Sequence, residues 1–272
     1  MKQSQTSRMV SYIIVLLMLA LYVFPLFYLF NVSMKTQTEY LLDPVALTEG
    51  IRLENFSEAW NKGNFSQYMW NSVLYTGMST LLTLILSIFA AFPLARRYVK
   101  FSTLIYIFFL ISMYLPNPLI PQFSLINNLG LYNTQIGYIL LKTTGTGIAF
   151  LMFVGYIKSI SRELDEASAM DGCGYTRYLF TILVPLMKPI LATGIILTAI
   201  GVWNDIIGPT IYLSDPNYQP VTKGLFTFYG QYMNNWPLLA CGILIVTLPL
   251  VVLYVALQRF IVGGAMAGAV KS

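Results

Sequence analysis

The chain has 272 residues, of which 57% are hydrophobic and only 10% are charged. An ordinary globular domain carries about 25% charged residues, so this composition excludes an ordinary soluble domain. The net charge of +5 is not concentrated in one segment, which argues against nucleic-acid binding. The absence of histidine excludes His-based catalytic triads and His metal sites.

Four long uncharged blocks and two shorter apolar ones predict six transmembrane helices, because a spanning helix needs about 20 mostly apolar residues. The blocks are too long and too uniformly apolar for the alternating strands of a membrane barrel. We therefore expect an all-α polytopic membrane protein in which residues 1–272 form a single transmembrane domain. The predicted spans, in chain order, are 11–34, 69–95, 101–123, 135–157, 188–213 and 237–259.

The Lys and Arg residues predict the orientation, because cytoplasmic loops carry an excess of both. With the N-terminus inside, eleven of the 16 basic residues lie on the cytoplasmic side and five on the other side. Both termini are then expected in the cytoplasm, and so is the long charged loop 158–187. The loops 35–68 and 214–236 are expected on the outer face.

The segment ELDEASAMDG, residues 163–172, holds four of the chain's 11 acidic residues. The stretch from Arg162 to Met170 lacks Gly and Pro and predicts a helix, and Gly172 is a typical helix stop. Small residues at 167–169 would allow close contact with a partner that offers basic or polar donors. A charge run of this kind is also typical of a solvated loop.

The same segment resembles the EAA loop of ABC importer permeases. The spacing of that motif is reproduced by residues 166–168 (E-A-S), three intervening residues, Gly172, nine intervening residues, and 182–185 (I-L-V-P). Ser168 replaces the second Ala of the pattern, and Val184 replaces the Leu. The segments YTRYLFTILVPLMKPILAT, WND and QRFIVGGAMAGAVKS resemble the maltose-type, carbohydrate-uptake branch of the family. The resemblance covers nearly the whole chain, with LARRY after the second predicted span among the fitting segments.

This resemblance implies the type I ABC importer permease fold in a bacterial cytoplasmic (inner) membrane. It implies four partners besides the lipid bilayer: a second homologous permease, an ATP-binding subunit dimer, an extracytoplasmic sugar-binding protein and the sugar itself. The chain has no G-x-x-x-x-G-K-[ST] loop. We therefore expect no cofactor on this chain and no enzymatic activity of its own, with ATP and magnesium on the separate ATPase.

Carried over residue by residue, the resemblance implies a coupling helix that the ATPase moves. Glu166, Ala167, Ser168 and Gly172 would form its core, with Glu163 beside them. The small residues would allow close approach, and the acids would make charge-assisted contacts.

Trp203, Asn204 and Asp205 form a second candidate site, near the outer end of the fifth predicted span. An ionisable residue in a span is a functional candidate, and an aromatic, an amide and an acid suit sugar binding. A headgroup-level or helix-capping acid is the preferred interpretation of Asp205, and Trp203 with Asn204 is the candidate for the pore lining. The prolines at 116, 118 and 121 either break the third span or end it.

The sequence leaves other functions open. The coupling loop is shared across ABC importers, so a polyamine or another small solute is an alternative cargo. An autonomous secondary carrier, a channel or a membrane-embedded enzyme would be expected to carry more charge within its spans. The C-terminal MAGAVKS, residues 266–272, is either a frayed tail or part of the ATPase interface.

Overall fold

The computed structural model describes residues 5–144, 147–230 and 234–269, and within these ranges it describes side chains from residue 8 to residue 260. Regular structure in the described ranges is helical, without a β-strand. The MAGAVKS side chains lie outside the described residues. The α-helices are α1 Gln5–Ser33, α2 Gln37–Leu42, α3 Glu54–Lys62, α4 Phe65–Arg96, α5 Ser102–Ser112, α6 Leu119–Asn128, α7 Gln135–Thr143, α8 Gly147–Ser159, α9 Glu163–Met170, α10 Tyr175–Tyr178, α11 Val184–Leu186, α12 Lys188–Trp203, α13 Ile207–Tyr212, α14 Val221–Gly224 and α15 Trp236–Ala269.

In the part of the chain that the structure describes, three helices are long and apolar enough to cross a membrane: α1, α4 and α15. Among the described residues the count rises to five if two bent pairs, α7 with α8 and Tyr175–Leu186 with α12, each form one span. The second pair bends by 86°. The topology of six spans therefore stays a prediction.

The α1 helix exposes its apolar side chains along most of its length. Leu16, Leu19 and Phe24 are each at least 60% exposed. Exposed apolar surface on this scale requires lipid or a protein partner to cover it. The helix is therefore suited to an apolar environment rather than to water.

The third predicted span is interrupted. The α5 helix ends at Ser112 and α6 starts at Leu119, directly after Pro118. Proline lacks the backbone N–H and disfavours helical geometry in the residue before it. Pro116 and Pro118 thus account for the break between α5 and α6.

The chain forms two compact units, Met1–Tyr68 with Lys223–Leu248 and Met69–Thr222 with Pro249–Ser272. In the first unit, hydrogen bonds order the loop that follows α1. The fully buried Lys35 ammonium donates to the Asp43 carbonyl at 2.7 Å. Glu39 pairs with Arg52 at 2.7 Å and accepts the Glu49 N–H. Burial acts to raise the pKa of Glu39, but these bonds outweigh it and hold the pKa below its ordinary value.

The second unit contains two hydrophobic clusters. One packs α4, α8 and the helical segment 175–187 around buried residues such as Phe92, Phe153 and Leu179. The other packs α4 and α7 with the end of α12 and α13 around Tyr75 and Tyr138. Ile160 and Cys173, which flank α9 in the chain, pack against the first cluster, and Ile139 of α7 belongs to the second.

Candidate functional site

The α9 helix contains the acidic segment. Glu163, Asp165 and Glu166 occupy its first turn, where negative charge interacts favourably with the helix dipole. The Ser161 hydroxyl accepts the Glu163 N–H at 3.2 Å, which satisfies one of the unpaired donors at the helix start.

A glycine turn ends α9. Gly172 has φ +71°, in the left-handed region. The Cys173 N–H donates to the Ser168 carbonyl at 2.9 Å, and the Gly172 N–H donates to the Ala169 carbonyl at 3.0 Å. This pair of bonds is a Schellman motif, which favours glycine at the left-handed position. The predicted helix stop at Gly172 is confirmed.

The α9 helix has an exposed face made of Glu163, Glu166, Ala167 and Met170, which follow helical spacing i, i+3, i+4, i+7. Met170 is 88% exposed, although it is a large apolar residue. A face that combines two carboxylates with a small residue and an exposed Met is chemically suited to a protein partner.

Ser168 lies on the opposite side of α9 from this exposed face. It is 8% exposed, and its hydroxyl donates to the Asp165 carbonyl at 2.8 Å. Glu163, Glu166 and Ala167 therefore share a surface, whereas the small side chain of Ser168 allows packing within this chain.

Asp165 joins α9 to the end of α4. Its Oδ2 lies 2.6 Å from Arg96 Nε, and its Oδ1 accepts from Arg96 Nη2 at 3.1 Å. The Tyr178 hydroxyl donates to the same Oδ1. Arg96 Nη1 also donates to the Ile160 carbonyl at 2.9 Å. The Arg96 and Asp165 side chains are only 2% and 9% exposed.

The sequence interpretation missed Arg96 and Tyr178. From the sequence, Arg96 is predicted only to lie in a basic loop and to belong to the LARRY segment of the resemblance. Two adjacent arginines give no signal as to which one is buried. The pairing is visible only in three dimensions, since Arg96 and Asp165 are 69 residues apart.

A cavity of about 560 Å³ lies in the second unit, between α5, α6, α7, α12 and α13. Its volume is within the range of ligand-binding pockets. Its lining mixes apolar residues with hydroxyl, amide and charged side chains. The polar lining includes Ser112, Asn117, Gln122, Lys142, Thr198 and Asp205.

An ion pair lies in the wall of this cavity. Asp205 Oδ2 is 2.6 Å from Lys142 Nζ and accepts from the Tyr138 hydroxyl at 2.9 Å. Tyr138 and Lys142 share one face of α7 because they are four residues apart. Asp205 Oδ1 accepts the Gly208 N–H at 3.1 Å. A Cβ at position 208 would overlap the Asp205 carboxylate, so this close approach requires glycine.

The three adjacent candidates Trp203, Asn204 and Asp205 have different surroundings. Asp205 lines the 560 Å³ cavity and also caps the first turn of α13. Trp203 is 4% exposed and lines a separate, apolar cavity of about 410 Å³. Asn204 is exposed and ends α12 as its C-cap residue. Lys142, which the sequence interpretation placed only near the outer end of a span, is the direct partner of Asp205.

Comparison with known proteins places these features in a family. The model of the family described as "Binding-protein-dependent transport system inner membrane component" matches residues 83–264. The chain is 34% identical over 251 residues to the melibiose/raffinose/stachyose import permease protein MelC of Bacillus subtilis (strain 168), covering 91% of each chain. It is 30% identical over 259 residues to the probable starch degradation products transport system permease protein AmyC of Thermoanaerobacterium thermosulfurigenes, covering 92% of each.

The fold is also that of a solved structure. One chain of a bacterial ABC transporter involved in the import of the acidic polysaccharide alginate superposes with a TM-score of 0.83. The match covers 95% of this chain and 99% of that chain at 19% sequence identity, so it bears on the fold alone.

The predicted resemblance to ABC importer permeases is confirmed, as is the all-α membrane fold. Permeases of this kind work with a binding protein and with a separate ATPase, so this chain is a transport subunit rather than an enzyme. Its apolar helices suit the inner membrane named in the family description. The chain belongs to the family of binding-protein-dependent transport system inner membrane components.

Proposed function

We propose that this chain is the permease subunit of an ATP-driven importer for an oligosaccharide, and that a separate ATPase moves it through α9. The observation that carries the coupling role is the exposed face of α9, where Glu163, Glu166, Ala167 and Met170 project from the chain. Carboxylates in such a position form strong, charge-assisted bonds with the basic groups of a partner. ATP and magnesium belong to that partner, and this chain needs no cofactor of its own.

The cargo assignment is supported by the relatives and by the chemistry of the cavity. MelC is named for melibiose, raffinose and stachyose, and AmyC is named for starch degradation products. Hydroxyl, amide and charged groups around a 560 Å³ space suit a ligand covered in hydroxyl groups. An ammonium has three N–H donors, so the ion pair with Asp205 alone does not use every donor of Lys142.

The same ion pair weighs against a polyamine cargo. A polyamine carries several positive charges, and the Asp205 carboxylate is already paired with the Lys142 ammonium. A polycation entering the cavity would therefore meet a second cation beside the acid. Neutral carbohydrate avoids this repulsion.

The complete importer, in this proposal, contains a second homologous permease, an ATPase dimer and an extracytoplasmic sugar-binding protein. The exposed apolar side chains of α1 suit contact with lipid, with the second permease or with both. The resemblance of the EAA loop supports one coupling helix on each permease.

The proposal is tested by purifying the tagged chain in mild detergent from its native membrane and identifying the proteins that accompany it. The recovered binding protein is then screened by thermal shift against raffinose, stachyose, maltotriose and spermidine. The complex is reconstituted in liposomes, and uptake of the best ligand is measured with and without ATP. Uptake of an oligosaccharide that requires ATP supports the proposal. Uptake of spermidine alone, or uptake by this chain without ATP, contradicts it.

A further inference from the structure

The buried guanidinium of Arg96 connects three parts of the second unit. Arg96 is the last residue of α4, it pairs with Asp165 of α9, and it donates to the Ile160 and Ser161 carbonyls that follow α8. We infer that Arg96 is the positioning residue for coupling: it fixes α9 to the end of α4, so that a displacement of α9 moves α4 with it. This inference rests on the proposed role of α9.

The ion pair is the principal anchor of α9. Among the eight residues of α9, all of them described, only Asp165 and Ser168 are not exposed. Leu164 is 43% exposed and Met170 is 88% exposed, so apolar packing contributes little. A helix of this length is not stable by itself, because short isolated helices are marginal in water. The position of α9 therefore depends strongly on the Asp165 carboxylate.

Asp165 is held from two sides. Arg96 approaches from α4 with two nitrogens, and the Tyr178 hydroxyl donates from α10. The guanidinium makes one charge-assisted hydrogen bond, from Nη2 to Oδ1, and its Nε lies at ion-pair distance from Oδ2, so both carboxylate oxygens face the same cation. In a buried site such a network resists deformation, because separating its members would leave unpaired charge.

The end of α4 is itself well ordered. The Tyr98 N–H donates to the Pro93 carbonyl at 2.9 Å, and the Arg97 N–H donates to the Leu94 carbonyl at 3.2 Å. Arg97 takes the left-handed conformation, with φ 61°. These bonds form a second Schellman motif, which places Arg96 at a fixed point on the helix.

The α4 helix also connects to the element that lines the cavity. The Ser79 hydroxyl donates to the Ile139 carbonyl at 3.2 Å, and the Thr83 hydroxyl donates to the Thr143 carbonyl at 3.2 Å. Both carbonyls belong to α7, which carries Lys142 into the cavity wall. A continuous series of bonded elements thus joins α9 to α4 and α4 to the cavity.

The test compares Arg96→Lys with Arg97→Lys in the complete complex, reconstituted in liposomes. Lysine keeps the charge at position 96, but a single ammonium cannot reproduce the planar guanidinium that bonds the Asp165 carboxylate and the Ile160 and Ser161 carbonyls together. Arg97 is the matched control because it is adjacent and exposed. Sugar uptake and ATP hydrolysis are measured on the same preparation. We expect Arg96→Lys to lower uptake per ATP hydrolysed by about tenfold and Arg97→Lys to leave it unchanged.

A purely structural role for Arg96 would reduce the yield of complex but not the ratio of uptake to hydrolysis. An unchanged ratio in Arg96→Lys overturns the inference. If the wild-type complex imports no carbohydrate, the cargo proposal fails instead, and the two failures are distinguishable.

A second measurement does not depend on the cargo. With the native cysteines Cys173 and Cys241 replaced by Ser, spin labels are placed in the complete complex at Tyr98 and Ala169, which are exposed and lie outside the face of α9 assigned to the ATPase. In a background with native Arg96, the distance distribution should stay narrow with and without ATP. With Arg96→Lys it should broaden on ATP binding. A narrow distribution in both backgrounds contradicts the inference.

Discussion

Two ion pairs in the second unit use the same kinds of groups and differ in how completely those groups are enclosed. Arg96 and Asp165 are 2% and 9% exposed, whereas Lys142 and Asp205 are 24% and 13% exposed. The first pair is closed off by its neighbours, and the second faces a cavity. The comparison indicates that the first pair holds elements together, while the second remains able to contact a ligand.

The choice of cation fits this difference. The Arg96 guanidinium is planar and binds a carboxylate and two carbonyls at once. The Lys142 ammonium is a compact charge on a flexible stem, which can turn between Asp205 and a ligand. In both pairs the acid also accepts a tyrosine hydroxyl, from Tyr178 and Tyr138 respectively. Because each acid has a tyrosine donor, the two pairs differ in their cation rather than in this hydrogen bond.

The largest expected effect comes from breaking the enclosed pair with Asp165→Ala. This change leaves the Arg96 guanidinium buried without its carboxylate, which is expected to cost about 3–5 kcal/mol. The thermal midpoint of the purified complex should fall well below that of the wild type. Asp171→Ala is the control, because Asp171 is an exposed acid at the other end of α9. Equal midpoints for the two variants would show that the Arg96 pair does not stabilise the complex.

Breaking the cavity pair with Lys142→Met should affect sugar uptake more than the stability of the complex. We expect the apparent KM for sugar uptake to rise by about tenfold, because the sugar would lose roughly one hydrogen bond to a charged group. Uptake per ATP hydrolysed should stay at the wild-type value. Lys188→Met, at an exposed lysine, serves as the control. A normal KM in Lys142→Met would remove Lys142 from the sugar pathway.

A smaller effect is expected from Gly172→Ala. The space around a Cβ at this position is open, so the cost comes from the left-handed backbone alone, about 1–2 kcal/mol. Amide hydrogen exchange should accelerate at the end of α9. Gly174→Ala is a close control, because Gly174 has φ −67° and equally open surroundings. Similar exchange in both variants would contradict the role assigned to the turn.

The smallest effect is expected from Tyr138→Phe, which removes one hydroxyl donor from Asp205. The free energy of unfolding should fall by about 1 kcal/mol, because Lys142 and the Gly208 N–H still contact the Asp205 carboxylate. The apparent KM for sugar uptake should rise only slightly. A rise larger than that of Lys142→Met would mean that the tyrosine, rather than the lysine, determines the geometry of the site.

The sequence predicted the local features of α9 well. Its helix, its acidic first turn and the stop at Gly172 follow from residues that are adjacent in the chain, so local rules suffice. The two sides of α9 were harder to assign. Ala167 and Ser168 are both small, and α9 has no apolar stripe to show which of them faces inward.

The two ion pairs could not be predicted from spacing. Arg96 and Asp165 are 69 residues apart, and Tyr138 and Asp205 are 67 apart. Their contact depends on how separate helices pack. Trp203 and Asp205 show the reverse: they are close in sequence but line different cavities, because α12 ends between them.

The proposed mechanism is that the exposed face of α9 receives the motion of the ATPase. It is tested by placing single cysteines at Glu163, Met170 and, as a control, the exposed Lys100, in a chain whose native cysteines are replaced by Ser. Each cysteine in the assembled complex is labelled with a photoactivated benzophenone and irradiated. We expect cross-links from positions 163 and 170 to the ATPase subunit and none from position 100. Cross-links from position 100 alone, in an intact complex, would contradict it.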